Sequence, residues 1–130
     1  MTQPPTDELA QWRWQADRRW AAARQMLVTS TVPEEIAGEN RHQALERYLK
    51  WFLICRGWKL RKTHDLMELI EEAESHDSSL GSFAELCARV NGYFIEERYP
   101  HVGLTFPERN QLEKDFAEAE QLIKLLTAGH

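Results

Sequence analysis

The sequence predicts an all-α fold, an antiparallel up-and-down bundle of four to five helices. Apolar residues recur at spacings of three and four along most of the chain, and no run alternates with period two for long enough to form a strand. Short segments carrying proline, glycine and capping residues divide the periodic stretches, and connections this short favour antiparallel neighbours.

The first helix is expected from about Thr6 to Val28. Leu9, Trp12, Ala16, Trp20, Ala23 and Leu27 form its apolar stripe, and Thr6 or Asp7 can cap it after the Pro4-Pro5 breaker. The stretch TSTVPEEIAGEN, with Pro33, Gly38 and Asn40, interrupts the pattern. A long second helix is expected from Glu39 to Arg56, with Ala44, Leu45, Tyr48, Leu49, Phe52 and Leu53 inward and Gly57 ending it. Thr63 is placed to cap a short third helix that buries Leu66, Leu69, Ile70 and Ala73, with Asp65 in its first turn. Ser82 and Glu85 have the spacing of a capping box for the fourth helix, whose buried face is Phe83, Leu86, Cys87, Val90 and Phe94. Thr105, Pro107 and Glu108 repeat that signal before the stripe Leu112, Phe116, Ala119, Ile123 and Leu126.

At 130 residues the chain suits one domain, 1–130, around one core. Hydrophobic residues make up 42% and charged residues 28%, the balance of a soluble globular protein and not of a disordered chain. The polar start and the shortness of the most apolar stretch, YLKWFLIC, argue against a secretory signal or a membrane span and point to the cytoplasm. Cys55 and Cys87 form no close-spaced metal or redox motif and are expected as buried thiols.

The net charge of −5 gives no global field that draws nucleic acid. Arg56, Lys59, Arg61 and Lys62, with Trp58 among them, are a local basic segment that can either bind phosphates and stack a base or solvate a helix end. Trp14, Ala21 and Val28 recur at seven residues beside the main stripe of the first helix, and Trp51 lies beside that of the second. This second stripe is either a partner surface or a wide stripe covered within the monomer.

In its order of features the chain resembles the HEPN family, the helical domains named for higher eukaryotes and prokaryotes nucleotide-binding. The likeness rests on ENRHQALERYLKWFLICRG, then KTHDLMELI, then FIEERYP, then EKDFAEAEQLIKLL, and covers essentially the whole chain. It implies a helical bundle that is commonly a homodimer, often paired with a small nucleotidyltransferase in a toxin–antitoxin system, with many members acting as metal-independent ribonucleases. The ribonuclease branch separates its arginine from its histidine by about four to six residues, so that the histidine takes the 2′-hydroxyl proton and the arginine holds the phosphate.

This sequence lacks that spacing. Only Tyr99 and Pro100 separate Arg98 from His101, and only Lys62 and Thr63 separate Arg61 from His64. Pro100 disfavours helical geometry at Tyr99, so EERYPHVG reads first as a helix exit, with Arg98 paired to a carboxylate and His101 exposed. His64 stands at a helix start where backbone N–H groups favour an anion, and is otherwise a hydrogen-bonded corner residue; Asp65 would compete with a phosphate there. The histidines, His42, His64, His76, His101 and His130, include no pair three or four apart, so neither a metal nor a cofactor is expected.

The resulting expectation is a HEPN-like binding module that takes a nucleotide or RNA near Arg61, Lys62, His64, Arg98 and His101, with a nucleotidyltransferase-like partner. The alternatives are an endoribonuclease with an atypical site drawn from Arg98, His101 and His64, and an adaptor with no ligand.

Overall fold

In a computed structural model the protein is described at residues 3–29, 31, 33–98 and 108–128, with the side chains of 35 and 92–98 excepted. Among the described residues five α-helices form: α1 (Glu8–Val28), α2 (Glu34–Ile54), α3 (Leu66–Glu74), α4 (Ala84–Arg98) and α5 (Arg109–Thr127), with a 3-10 segment at Ser78–Phe83. There is no strand among the described residues, and none of their helices is long and apolar enough to cross a membrane.

The inward stripes are where periodicity puts them. Ala16, Trp20 and Ala23 of α1, the six expected residues of α2, the four of α3, and Leu112, Phe116, Ala119, Ile123 and Leu126 of α5 are all buried in one core cluster. Phe83, Leu86, Cys87 and Val90 join them, while the side chain of Phe94 lies outside the described residues. α1 and α2 form an antiparallel hairpin, since Arg13 meets Trp51, Gln15 meets Arg47 and Met26 meets Asn40. α5 closes on α1 through stacked Trp20 and Phe116 rings 5.6 Å apart. Arg109 reaches from the start of α5 to the Leu27 carbonyl of α1 and to Glu34 of α2.

Helix ends required more correction than helix faces. α2 begins at Glu34, five residues before the expected Glu39, because Pro33 fits a helix start and Asn40 is satisfied inside the helix by donating to the Ile36 carbonyl at 3.1 Å. The cap of α3 is Asp65, not Thr63: the Asp65 carboxylate accepts from Met67 N–H at 2.9 Å. Ser82 is no helix cap, since it lies within the 3-10 segment and donates to the Ser79 carbonyl, and Asp77 caps that segment. Glu108 is the N-cap residue of α5 without a side-chain capping bond, while Thr105 lies outside the described residues. Gly57 ends α2 as expected, at φ +88°, with Trp58 N–H bonded to the Leu53 carbonyl and Gly57 N–H to that of Ile54.

Trp51 is buried under the Arg13 guanidinium and belongs to the monomer core, whereas Val28 is 73% exposed and Trp14 only partly covered. The two cysteines also separate. Cys87 is buried, and burial pushes its thiol up to about 12, but Cys55 is exposed, contrary to expectation, because it falls at the C-cap of α2 where the chain turns outward. A thiol reagent is therefore expected to modify Cys55 in the native protein and Cys87 only after unfolding. Equal native-state labelling of both, read by mass spectrometry, would contradict this placement.

Candidate functional site

α2 is buried nearly all round, yet Arg41, His42, Glu46 and Lys50 are among its buried residues. His42, Glu46 and Lys50 are spaced by four and therefore share one face of the helix. They make a polar seam through a largely apolar core. Lys50 Nζ donates to Glu46 Oε2 at 2.9 Å beneath the Trp12 ring, with both side chains under one-tenth exposed.

The seam ends on His64, in the connection between α2 and α3. His42 Nε2 donates to the His64 carbonyl at 3.0 Å, and His64 Nδ1 donates to Glu46 Oε1 at 2.9 Å. α2 thus fixes residue 64 twice, by backbone and by side chain. The imidazole itself is 64% exposed although the carboxylate that holds it is buried. An imidazole oriented by a buried carboxylate in this way can exchange a proton with, or hydrogen-bond, a ligand at the surface.

Electrostatics keep the seam polarised. Burial would raise the Glu46 carboxyl, but hydrogen bonds from Lys50 and His64 and their charges outweigh it and hold the group below the ordinary glutamate value. Burial lowers His42 to about 4, despite the opposing pull of the His64 and Val90 backbone and of Glu46, so its ring is neutral near pH 7.

The other expected site residues divide. Arg61 stacks over Trp58 and pairs with Glu68 at 3.0 Å and Glu72 at 3.3 Å, in a shallow depression also lined by Glu71 and Ser75. Three carboxylates around one arginine disfavour a phosphate there. Arg56 donates to the Phe52 carbonyl and so serves the helix end, while Lys59 and Lys62 are exposed. The N–H groups at the start of α3 are already used, Leu66 by Asn91 and Met67 by Asp65, which leaves His64 as the corner's exposed polar group rather than the helix terminus.

α4 passes this corner at Asn91, whose amide donates to Asp65 at 2.7 Å. Arg98 stands seven residues further along the helix, about 10 Å at the usual helical rise. Its side chain, and the whole of His101, lie outside the described residues.

A family model for the HEPN domain matches residues 9–128. The chain belongs to the HEPN family. No curated protein and no solved structure gives a significant match. The match spans the helices that build the seam, so Glu46 and His64 lie within the HEPN domain itself. One sign of this HEPN chain's seam is legible in the sequence: a histidine, a glutamate and a lysine at steps of four, beside the apolar stripe of the same helix.

Proposed function

We propose that this HEPN chain is a nucleotide- or RNA-binding module whose ligand sits at the corner where His64 meets α4. In this reading it acts as a homodimer beside a nucleotidyltransferase-like partner in a toxin–antitoxin-type pair. The observation that carries the proposal is the exposed His64 imidazole held by buried Glu46. Membership of a family named for nucleotide binding supplies the ligand class. Lys62 is near in sequence, and Arg98 stands on α4 seven residues beyond Asn91, so these are the cations we assign to a phosphate. His101 follows Arg98 by three positions and is the remaining candidate.

A second reading, an endoribonuclease, is favoured by the same contact. His64 would take the proton of a ribose 2′-hydroxyl through Nε2 while Glu46 keeps Nδ1 protonated. The atypical spacing of Arg61 with His64, and of Arg98 with His101, speaks for binding without cleavage.

The test is titration of labelled RNA and of a mononucleotide with purified protein in chelator, followed by analysis of RNA integrity. Wild type is expected to bind and leave RNA intact, and His64→Ala to weaken binding roughly tenfold, the scale of one charge-assisted hydrogen bond. Cleavage that disappears in His64→Ala would establish the second reading. A monomer that binds neither ligand would overturn both.

A further inference from the structure

Arginines in this protein are mostly neutralised or built into the core. Arg13, Arg24, Arg61, Arg89 and Arg109 each have a carboxylate within ion-pairing distance. Arg18, Arg19 and Arg47 have none among the described residues, in a chain with 21 carboxylates against 16 lysines and arginines. What holds two of them is neutral. Arg47 donates through Nε to the Gln15 amide oxygen at 3.1 Å and through Nη1 to the Gln43 carbonyl at 3.2 Å, and Arg19 lies 3.5 Å from the Asn40 amide oxygen. Amides fix the position of a guanidinium without cancelling its charge.

Arg18 and Arg19, with Trp14, Gln15 and Ala22, line a surface pocket of about 440 Å³, and Arg47 is bonded to its Gln15. Arg18 lies over the Trp14 ring at 4.7 Å, so the guanidinium caps one face of the indole and leaves the other face for a base. Arg47 is half-buried: burial depresses its guanidinium, Glu46 partly restores it, and the neighbouring Arg19 charge depresses it again. Glu46 acts on Arg47 only from a distance, and no carboxylate among the described residues ion-pairs with any of the three, so the cluster stays net positive and attracts an anion.

We propose that this face of α1 and α2 is a binding track for single-stranded nucleic acid, with Arg18, Arg19 and Arg47 on the phosphates and Trp14 stacking a base. A lone phosphate would use the arginines but not the indole. A duplex would offer no unstacked base to Trp14, whereas a single strand presents a phosphate and an aromatic face at every nucleotide. A second copy of the chain suits the surface poorly, since a two-fold interface here would gather both copies' arginines into one patch. The track's pocket is lined by α1 alone, whereas the His64 corner is built from α2 and the connection that follows it, and the proposal shares with the functional reading only the premise that the chain binds RNA.

The test is fluorescence anisotropy with a labelled RNA of about twelve nucleotides, within the usual site size of such surfaces, at several salt concentrations, for wild type, W14A, W14F, R18Q/R19Q and H64A. Loss of one stacked base in W14A is expected to weaken binding roughly tenfold or more, with W14F retaining most of it. R18Q/R19Q is expected to weaken binding and reduce the logarithmic salt slope by about 0.7 per arginine. Both arginines are exposed, so this variant is informative even if W14A folds poorly.

Unchanged affinity and slope in R18Q/R19Q would overturn the track. If H64A alone loses RNA, the track fails and the corner stands; if the α1 variants lose RNA and H64A does not, the track stands without the corner. Wild type that binds a mononucleotide through His64 but no RNA sinks the track while leaving the corner. Altered oligomeric state in the α1 variants with RNA affinity intact would also overturn it.

Discussion

Glu46→Ala is expected to destabilise the protein by on the order of 3–5 kcal/mol, the usual cost of removing one partner of a buried ion pair. The physical reason is what remains. Lys50 would keep an ammonium group in a nearly inaccessible position under Trp12, with its 2.9 Å partner gone, and His64 would lose the carboxylate that orients it. Against a total stability of roughly 5–15 kcal/mol for an ordinary domain, that loss is large enough to read directly from a urea titration. Glu46→Met combined with Lys50→Met should recover most of it, because two apolar groups of similar volume need no partner. A Glu46→Ala midpoint shift worth less than about 1 kcal/mol would mean that water or a rearranged neighbour satisfies Lys50, and that the seam is not the strut it is taken for here.

The double variant also separates structure from function. It would restore the core while leaving His64 without its carboxylate, so ligand binding should stay weakened after stability has returned. Restored binding would place the ligand elsewhere and count against the His64 corner.

How much of this was legible in the sequence follows from which forces are local. The helix faces were readable because burial has the helical period: the whole predicted stripe of α2, from Ala44 to Leu53, is inaccessible. The ends were less readable because several side chains compete for the same backbone groups. Thr63, Asp65, Ser82 and Asp77 are all capable caps, and tertiary position chose the two aspartates. Gly38 reads as a helix breaker in isolation, yet it is buried inside α2 beside Ala37. Cys55 looked buried because it follows YLKWFLI, but the turn at Gly57 carries it to the surface.

The candidate site was half legible. His64 is conspicuous in the sequence by its place at a helix start beside Arg61 and Lys62. Its partner is not, because Glu46 is 18 residues away and joins it only when the chain doubles back from α2. The α1 track was missed for a related reason. QWRWQADRRW shows apolar spacing first, and the densest run of basic residues in the sequence lies at 56–62 instead. Charge in a sequence counts residues, whereas binding depends on which charges folding leaves uncompensated, and folding pairs Arg61 with two glutamates but gives Arg18, Arg19 and Arg47 no carboxylate among the described residues.

Stability is expected to fall as the pH drops from about 6.5 to about 4, with His42 responsible for on the order of 3 kcal/mol of the loss. The folded protein keeps His42 neutral to about 4, chiefly because burial penalises the cation. The unfolded chain takes up a proton near 6.5, so within that window the unfolded state holds more protons and is favoured as the pH falls. Above the window the penalty is absent. Glu46 acts lower, since its carboxyl is held below 4.5 and its contribution is lost only as the pH falls through that depressed value. The discriminating variant is His42→Gln, whose amide can still donate to the His64 carbonyl but cannot take a proton. It should flatten the stability profile between pH 6.5 and 4 relative to wild type and leave the steeper fall below that range. Parallel profiles for the two proteins would mean that His42 is protonated in the native state at mildly acid pH, and the seam would then have to carry a charge that its burial argues against.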